Sequence, residues 1–382
     1  MKIRYFFIIG LLSFSGISQE SLALKNLAPP NSPAFVLMDI SPSNITTPEN
    51  IQAFSIQTIA GFSGSGNETA SGKNYALEFQ PYWYFPRKEM DFFRYNNFRS
   101  SKSTENIETA FDYDEYDIFG DIGKNTSISL ALTDGTFGVF ETPRSYISIG
   151  ARTRLIKLVR RGDIKKIKES YEKYKKFMLN DPVAIDIVNN TPDEEAASII
   201  DKIYELESFK KLRNELQSAI NKKPLLALDF AIAYSRFIGS ENTDIIGTFG
   251  RFGAWASTDL AWALSDSNKN YFHVYGVFRY LRDGLNLNTD TNTLFNTTNY
   301  DYGAKIELEF NKLSFSYEYI SRDGDTYSHR SMGNIRYAVN DDIAITGGFG
   351  ENFNTEDHTL ALFGIQWGMD FGAGIKLPDL DK

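Results

Sequence analysis

The sequence predicts an all-β transmembrane barrel of about twelve antiparallel strands carrying an inserted helical hairpin. Three observations point there: strand-length stretches alternate with a period of two and carry a large aromatic apolar face, the connections sort into short and long by side, and the N-terminus reads as an export signal while no later run is long and apolar enough for a helical span.

The alternation is cleanest in the second half. Tyr300, Tyr302, Ala304, Ile306, Leu308 and Phe310 fall on one face, with Asp301, Gly303, Lys305, Glu307 and Glu309 on the other. After an Asn311-Lys312 turn, Leu313, Phe315, Tyr317 and Tyr319 oppose Ser314, Ser316 and Glu318. Leu226, Leu228, Phe230, Ile232 and Tyr234 oppose a second face that is small and polar: Ala227, Asp229, Ala231, Ala233 and Ser235. Further strands are expected at Ile51–Gly61, Asn74–Tyr84, Asn125–Thr133, Ser145–Ile156, Ile245–Ala263, Tyr271–Arg282, Arg330–Val339, Ile343–Asn352 and Thr359–Phe371. An even total suits a single-chain bacterial barrel. With both termini on the periplasmic side, the turns at Asp266–Asn270, Asn311-Lys312 and Asn340–Asp342 are periplasmic, and the connections Asp283–Thr298, Arg322–Ser328 and Phe353–Asp357 face outward.

Composition supports an exported barrel. The 30 Phe and 21 Tyr bring the aromatic share to 14%, yet the mean hydropathy is only -0.32, as expected when apolar and polar positions alternate. A net charge of -9 without a polybasic run disfavours nucleic acid as a partner. The absence of cysteine removes disulfide scaffolds, thiolate metal sites and a cysteine nucleophile. Lys2 and Arg4 precede the apolar Tyr5–Phe14, and small residues at Gly16-Ile17-Ser18 offer a cleavage site.

The expected organisation is a signal peptide at 1–18, an extended pre-barrel segment at 19–50, strands one to four across 51–156 with a long loop at 85–124, a helical insertion at 157–223, and strands five to twelve across 224–376. Pro29-Pro30, Pro33, Pro42 and Pro48 make the pre-barrel segment read as an extended linker, with a plug inside the lumen as the alternative. In the insertion, Ile164, Ile167, Tyr171, Tyr174 and Met178 recur at helical spacing. A second helix is expected to open at the capping box Thr191-Pro192-Asp193-Glu194 and to run through Ile199, Ile203, Leu206, Leu212, Leu216 and Ile220.

Candidate chemistry is sparse. Arg152, Arg154, Asp229, Arg279, Asp301, Lys305, Glu307, Glu309, Glu318 and Arg336 carry the inward parity and are the lumen-lining candidates; charges of both signs either line a water channel or pair across it, and a mostly filled lumen is the expectation. His273, His329 and His358 lack metal-ligand spacing, so neither a metal nor a cofactor is expected. Gly61–Gly72 lacks the Lys-Ser/Thr ending of a phosphate loop. Asn286, Asn288, Asp290 and Asn292 alternate oxygen side chains in an outer loop but lack the glutamate and glycine of a calcium loop.

The run Tyr327-Ser328-His329-Arg330-Ser331 resembles the His-x-Ser spacing of outer-membrane phospholipase A. That resemblance implies His329 as base and Ser331 as nucleophile in a lipid hydrolase. Here Met332-Gly333-Asn334 stands where that family has Asn-Gly, and a structural role is the favoured reading. Signal, Ser32-Pro33-Ala34-Phe35 and the strand Ala76-Leu77-Glu78-Phe79-Gln80-Pro81-Tyr82-Trp83 together resemble uncharacterised outer-membrane barrels of Bacteroidota-type bacteria, which implies the outer membrane of a Gram-negative cell as location. The expectation is a porin-like channel or a scaffold, not an enzyme; a lipid hydrolase and a soluble exported ligand-binding β-protein are the alternatives. Expected partners are outer-membrane lipids, the barrel assembly machinery and a periplasmic partner at the helical insertion.

Overall fold

The computed structural model describes residues 31–43, 54–63, 74–84, 96–99, 115–135, 144–190, 202–203, 205–238, 249–265, 269–288, 293–340, 343–353 and 359–369. The signal peptide, the capping box at Thr191, His358, Asp290 and Asn292 lie outside them.

Twelve antiparallel strands close into one barrel: β1 (Phe54–Ser63), β2 (Tyr75–Phe79), β3 (Ser127–Gly135), β4 (Arg144–Leu158), β5 (Leu226–Ile238), β6 (Phe249–Ala263), β7 (Asn270–Asn288), β8 (Thr293–Phe310), β9 (Leu313–Gly324), β10 (Ser328–Ala338), β11 (Ile343–Glu351) and β12 (Thr359–Met369). Each pairs with its sequence neighbours, and β1 pairs with β12 (Phe54↔Met369, Ile59↔Gly364), so that among the described residues no barrel strand stands at the edge of the sheet. Each strand expected from the alternation is present.

The faces divide as the alternation predicts. Ile306 is 49% exposed on the outside, whereas Glu307 beside it is 8% exposed on the inside. Around the ring Leu77, Leu130, Ile149, Ile232, Phe278, Phe315, Ile335 and Phe363 are all exposed, while the large buried side chains include Arg152, Arg279 and Arg330. This is the inverse of a soluble sandwich, which buries its apolar faces.

Two of the connections expected to face outward are shorter than expected. Asp283–Thr298 is mostly ladder, because β7 and β8 stay paired up to Asn288↔Thr293, across an irregularity between Phe295 and Thr297. Asn286 and Asn288 therefore sit on a strand rather than in a loop. β9 likewise runs on to Gly324, with Arg322↔Ser328 as its last pair to β10. In β2 the strand ends at Phe79, and Pro81–Tyr84 turns into a short 3-10 helix, since Pro81 has no N–H to offer a ladder.

The insertion departs from a two-helix hairpin. Its described helices are α2 (Arg161–Asn180), α3 (Pro182–Asn190) and α4 (Glu207–Ile220). The expected continuous second helix is broken at Leu206, which is extended (φ -61, ψ 128) and stands as the N-cap of α4. α3 has a start signal that the reading from apolar helical spacing passed over: Asp181 Oδ1 accepts from the backbone N–H of Val183 and Ala184 at 2.9 and 3.1 Å, with Pro182 in the first turn. The two insertions form one unit. Phe98 and Tyr116, from a small ribbon (Phe98–Arg99 with Glu115–Tyr116) in the first insertion, pack on Ile167, Tyr171, Tyr174, Phe177, Phe209 and Leu216 of the second. The barrel thus bears a subdomain with its own core on the side of the short turns.

Candidate functional site

The barrel is filled rather than hollow where its middle is described. Residues 31–43 lie inside it and contain a five-residue helix, α1 (Pro33–Leu37), in place of the expected extended linker. Ser32 is extended and Pro33 opens the helix, the position where its fixed φ costs nothing. Ala34, Phe35, Val36, Leu37 and Met38 are only 0–1% exposed.

The wall is shaped for this segment. Phe35 packs with Ile59, Ala76, Ala131, Met332 and Leu362, and Val36, Leu37 and Met38 pack with Tyr146, Ala231, Ala233, Phe237, Trp255 and Leu281. The small inward residues of β5 are therefore room left for the plug. Gly150 is needed for the same reason: a Cβ there would stand 3.0 Å from Pro33 Cβ and 3.2 Å from the Ala34 nitrogen.

Polar contacts hold the plug at both ends. At its start, the Ser32 amide donates to Gln57 Oε1 at 2.9 Å, and Arg152 Nη1 donates to the Asn31 carbonyl at 2.8 Å while its other nitrogen pairs with Glu78. At its far end Asp39 meets three guanidinium groups: Arg279 Nη2 at 2.6 Å, Arg251 Nη1 at 3.0 Å and Arg322 Nη2 at 3.3 Å. Asp301 bridges Arg279 and Arg322 (both Nε atoms at 2.7 Å), Asp283 holds Arg251 (Nη2 at 2.8 Å), and Glu318 holds Arg330 (3.0 Å) and accepts from the Ser43 amide (3.0 Å). Four cations and four anions thus balance in this knot, which is how charge is kept in a low-dielectric interior. Phe353 covers it, its ring centre 3.8 Å from the Arg322 guanidinium carbon.

The ten residues singled out from sequence all take the inward parity. Nine are buried, and Arg336 is half-buried. Arg152, Arg279, Asp301 and Glu318 belong to the plug contacts. Arg154 pairs with Asp229 at 3.0 Å. Lys305 and Glu307 pair at 2.6 Å, and Glu309 meets Lys223 and His273 nearer the end with the short turns. His273 is further held by Asp259 at 2.9 Å as a hydrogen-bonded histidine of the wall. Alternation missed Asp39, because a five-residue helix has no readable period. Arg251, Asp283, Arg322, Arg330 and Glu78 were legible in principle, since each sits on the inward parity of its strand.

His329 and Ser331 face outward, as i and i+2 positions must when they share the lipid side. His329 Nε2 meets Glu351 at 3.0 Å, and Ser331 Oγ meets the Tyr317 hydroxyl at 2.7 Å; no hydrogen bond joins His329 to Ser331. That carboxylate comes from the next strand, β11.

At the end of the barrel that bears the short turns, Asn97 donates to Asp121 Oδ1 at 2.8 Å and accepts from Lys124. Burial pulls the Lys124 ammonium down to about 8 against the opposing pull of Asp121.

An apolar exterior, polar interior and edge-free ladder are the one β arrangement that hydrocarbon tolerates. The chain is an outer-membrane-type β-barrel. Solved structures to which the chain is similar include the KdgM porin (TM-score 0.35, 9% identity, 83% of this chain and 99% of that one), Acinetobacter baumannii Omp33 (0.30, 12%, 83% and 98%) and an outer membrane channel from Pseudomonas putida F1 (0.36, 6%, 85% and 97%). At such scores these likenesses decide nothing about solute or activity. No protein-family model and no curated protein matches the chain.

Proposed function

We propose that the protein is a gated channel of the Gram-negative outer membrane, held shut at rest by its own residues 31–43. The observation that carries this reading is the plug's mode of attachment. It is a separate segment, bound by main-chain and side-chain hydrogen bonds to wall arginines, and it fills the room left by the small inward residues Ala231 and Ala233 of β5. A barrel serving only as an anchor has no need of a removable filling. The periplasmic subdomain supports an added role as a docking point for a periplasmic partner, and insertion would rely on the barrel assembly machinery. The sequence resemblance to Bacteroidota-type barrels accords with this location. Lipid hydrolysis is not favoured, because Ser331 is engaged by Tyr317 rather than by His329.

The test uses the absence of native cysteine. A Pro33→Cys/Gly150→Cys pair needs a shift of under about 1 Å to reach disulfide geometry. In an Asp39→Asn background, the oxidised protein should be silent in planar bilayers and the reduced protein should conduct. Equal conductance in both states, or none in either, overturns the gate.

A further inference from the structure

We propose that the arginine knot is a solute site and that Asp39 is its internal stand-in: with the plug displaced, Arg251, Arg279 and Arg322 bind a carboxylate-bearing solute that carries neutral oxygens beside the carboxylate, as a hydroxy acid does. This rests on the gated-channel reading and names the solute class of the same lumen.

Four features of the knot converge on it. The three guanidinium groups come from three strands, β6, β7 and β9, and meet on one carboxylate that belongs to none of them. Their orientation is fixed by the wall itself, Arg279 and Arg322 by Asp301, Arg251 by Asp283, and Arg322 additionally by the Phe353 ring, so the fork persists without the plug. Without Asp39 the knot holds Arg251, Arg279, Arg322 and Arg330 against Asp283, Asp301 and Glu318, one positive charge in excess in a buried place. Neutral oxygens complete the recognition: Arg279 Nη1 donates to the Val36 carbonyl at 2.8 Å, Arg251 Nη1 to Leu37 at 3.4 Å, and Asn352 Nδ2 to the Asp39 carbonyl at 3.3 Å.

Asp39 itself bears the mark of a residue placed for its carboxylate. It stands just past the end of α1 with φ +57, the left-handed position that glycine or asparagine ordinarily fills. Glycine would relieve the backbone, and only the carboxylate is lost with it.

Asp39→Gly is accordingly the variant to test, with gluconate as the probe, titrated calorimetrically against the full-length protein in detergent and in bilayer recordings. Asp39→Gly should bind gluconate and show gluconate-dependent block of its current, and glucose should do neither. Wild-type protein should bind much more weakly, because the tethered carboxylate competes at high effective concentration. Adding Arg279→Gln should weaken binding by about tenfold or more; if that variant fails heat-modifiable migration as a folding check, Arg322→Lys, which keeps the charge and loses the fork, should weaken it in the same direction. A conducting Asp39→Gly that ignores gluconate, or treats glucose alike, overturns the solute site and leaves the gate standing. Gluconate binding in a protein that never conducts overturns the gate and leaves the site.

Discussion

Replacing Asp39 by Asn isolates the charge that fastens the plug. Asparagine has nearly the same shape and tolerates the left-handed backbone at φ +57, so the chain path is not disturbed. The change turns four cations against four anions into four against three, with Arg251, Arg279 and Arg322 left around a neutral amide. Removing one partner of a buried ion pair costs about 3 to 5 kcal/mol. The amide oxygen still accepts one of the three donors, which places the loss at the low end, about 3 kcal/mol, or a factor of roughly 150 in the docking equilibrium. The readout is hydrogen exchange of the amides of Phe35, Val36, Met38 and Asp39, each bonded within the plug to Ser32, Phe35 or Val36 carbonyls. They should exchange about a hundredfold faster, with wall amides of β8 unchanged. A change of less than about threefold in those four amides would show that apolar packing alone holds the plug, and the charge argument would fall.

Other outcomes follow from the same structure. Ile306→Arg or Leu308→Arg, placed in the lipid-facing wall, should each cost about 2 to 4 kcal/mol, and spin labels at 306 and 308 should report hydrocarbon while one at 307 reports a polar lumen. Phe209→Ala should cost the helical subdomain about 3 to 5 kcal/mol without altering heat-modifiable migration of the barrel, since Phe209 is fully buried among Tyr174 and Phe177. Because the folded Lys124 titrates at about 8 against 10.5 in the open chain, the unfolded form holds the extra proton between those values. Helix melting of the subdomain should therefore shift upward as pH rises from about 8 to 10.5, gaining roughly 3 kcal/mol at most, and that rise should be lost in Lys124→Met. An epitope inserted at residues 289–292 should be accessible on intact cells, and one in Lys165–Lys176 should not; the reverse pattern inverts the barrel.

The strands were legible because a spanning strand must show lipid one face and water or protein the other, and Tyr300–Phe310 can satisfy that in one register alone. Helices in the subdomain were half legible: the α2 spacing from Ile164 to Tyr174 holds, whereas apolar recurrence through Leu206 hid a break that only backbone geometry reveals. The plug stood in the sequence only as the alternative to a linker, for a different reason. Its prolines argue for an extended chain, and Ala34–Met38 is too short to declare a helical face. The one trace of it lay elsewhere in the chain, in Ala227, Ala231, Ala233 and Ser235, an inward face too small to fill its share of the lumen.

β2 has five residues, against nineteen in β7 and eighteen in β8. The ring is therefore fastened unevenly, tall on one side and shallow at Tyr75–Phe79. Gln57 and Glu78, which anchor the start of the plug directly and through Arg152, belong to β1 and β2 at that shallow place. The segment inside the lumen acts there as a keystone, bracing from within the part of the arch that has the fewest courses of its own, so that withdrawing it would slacken the arch as well as clear the passage.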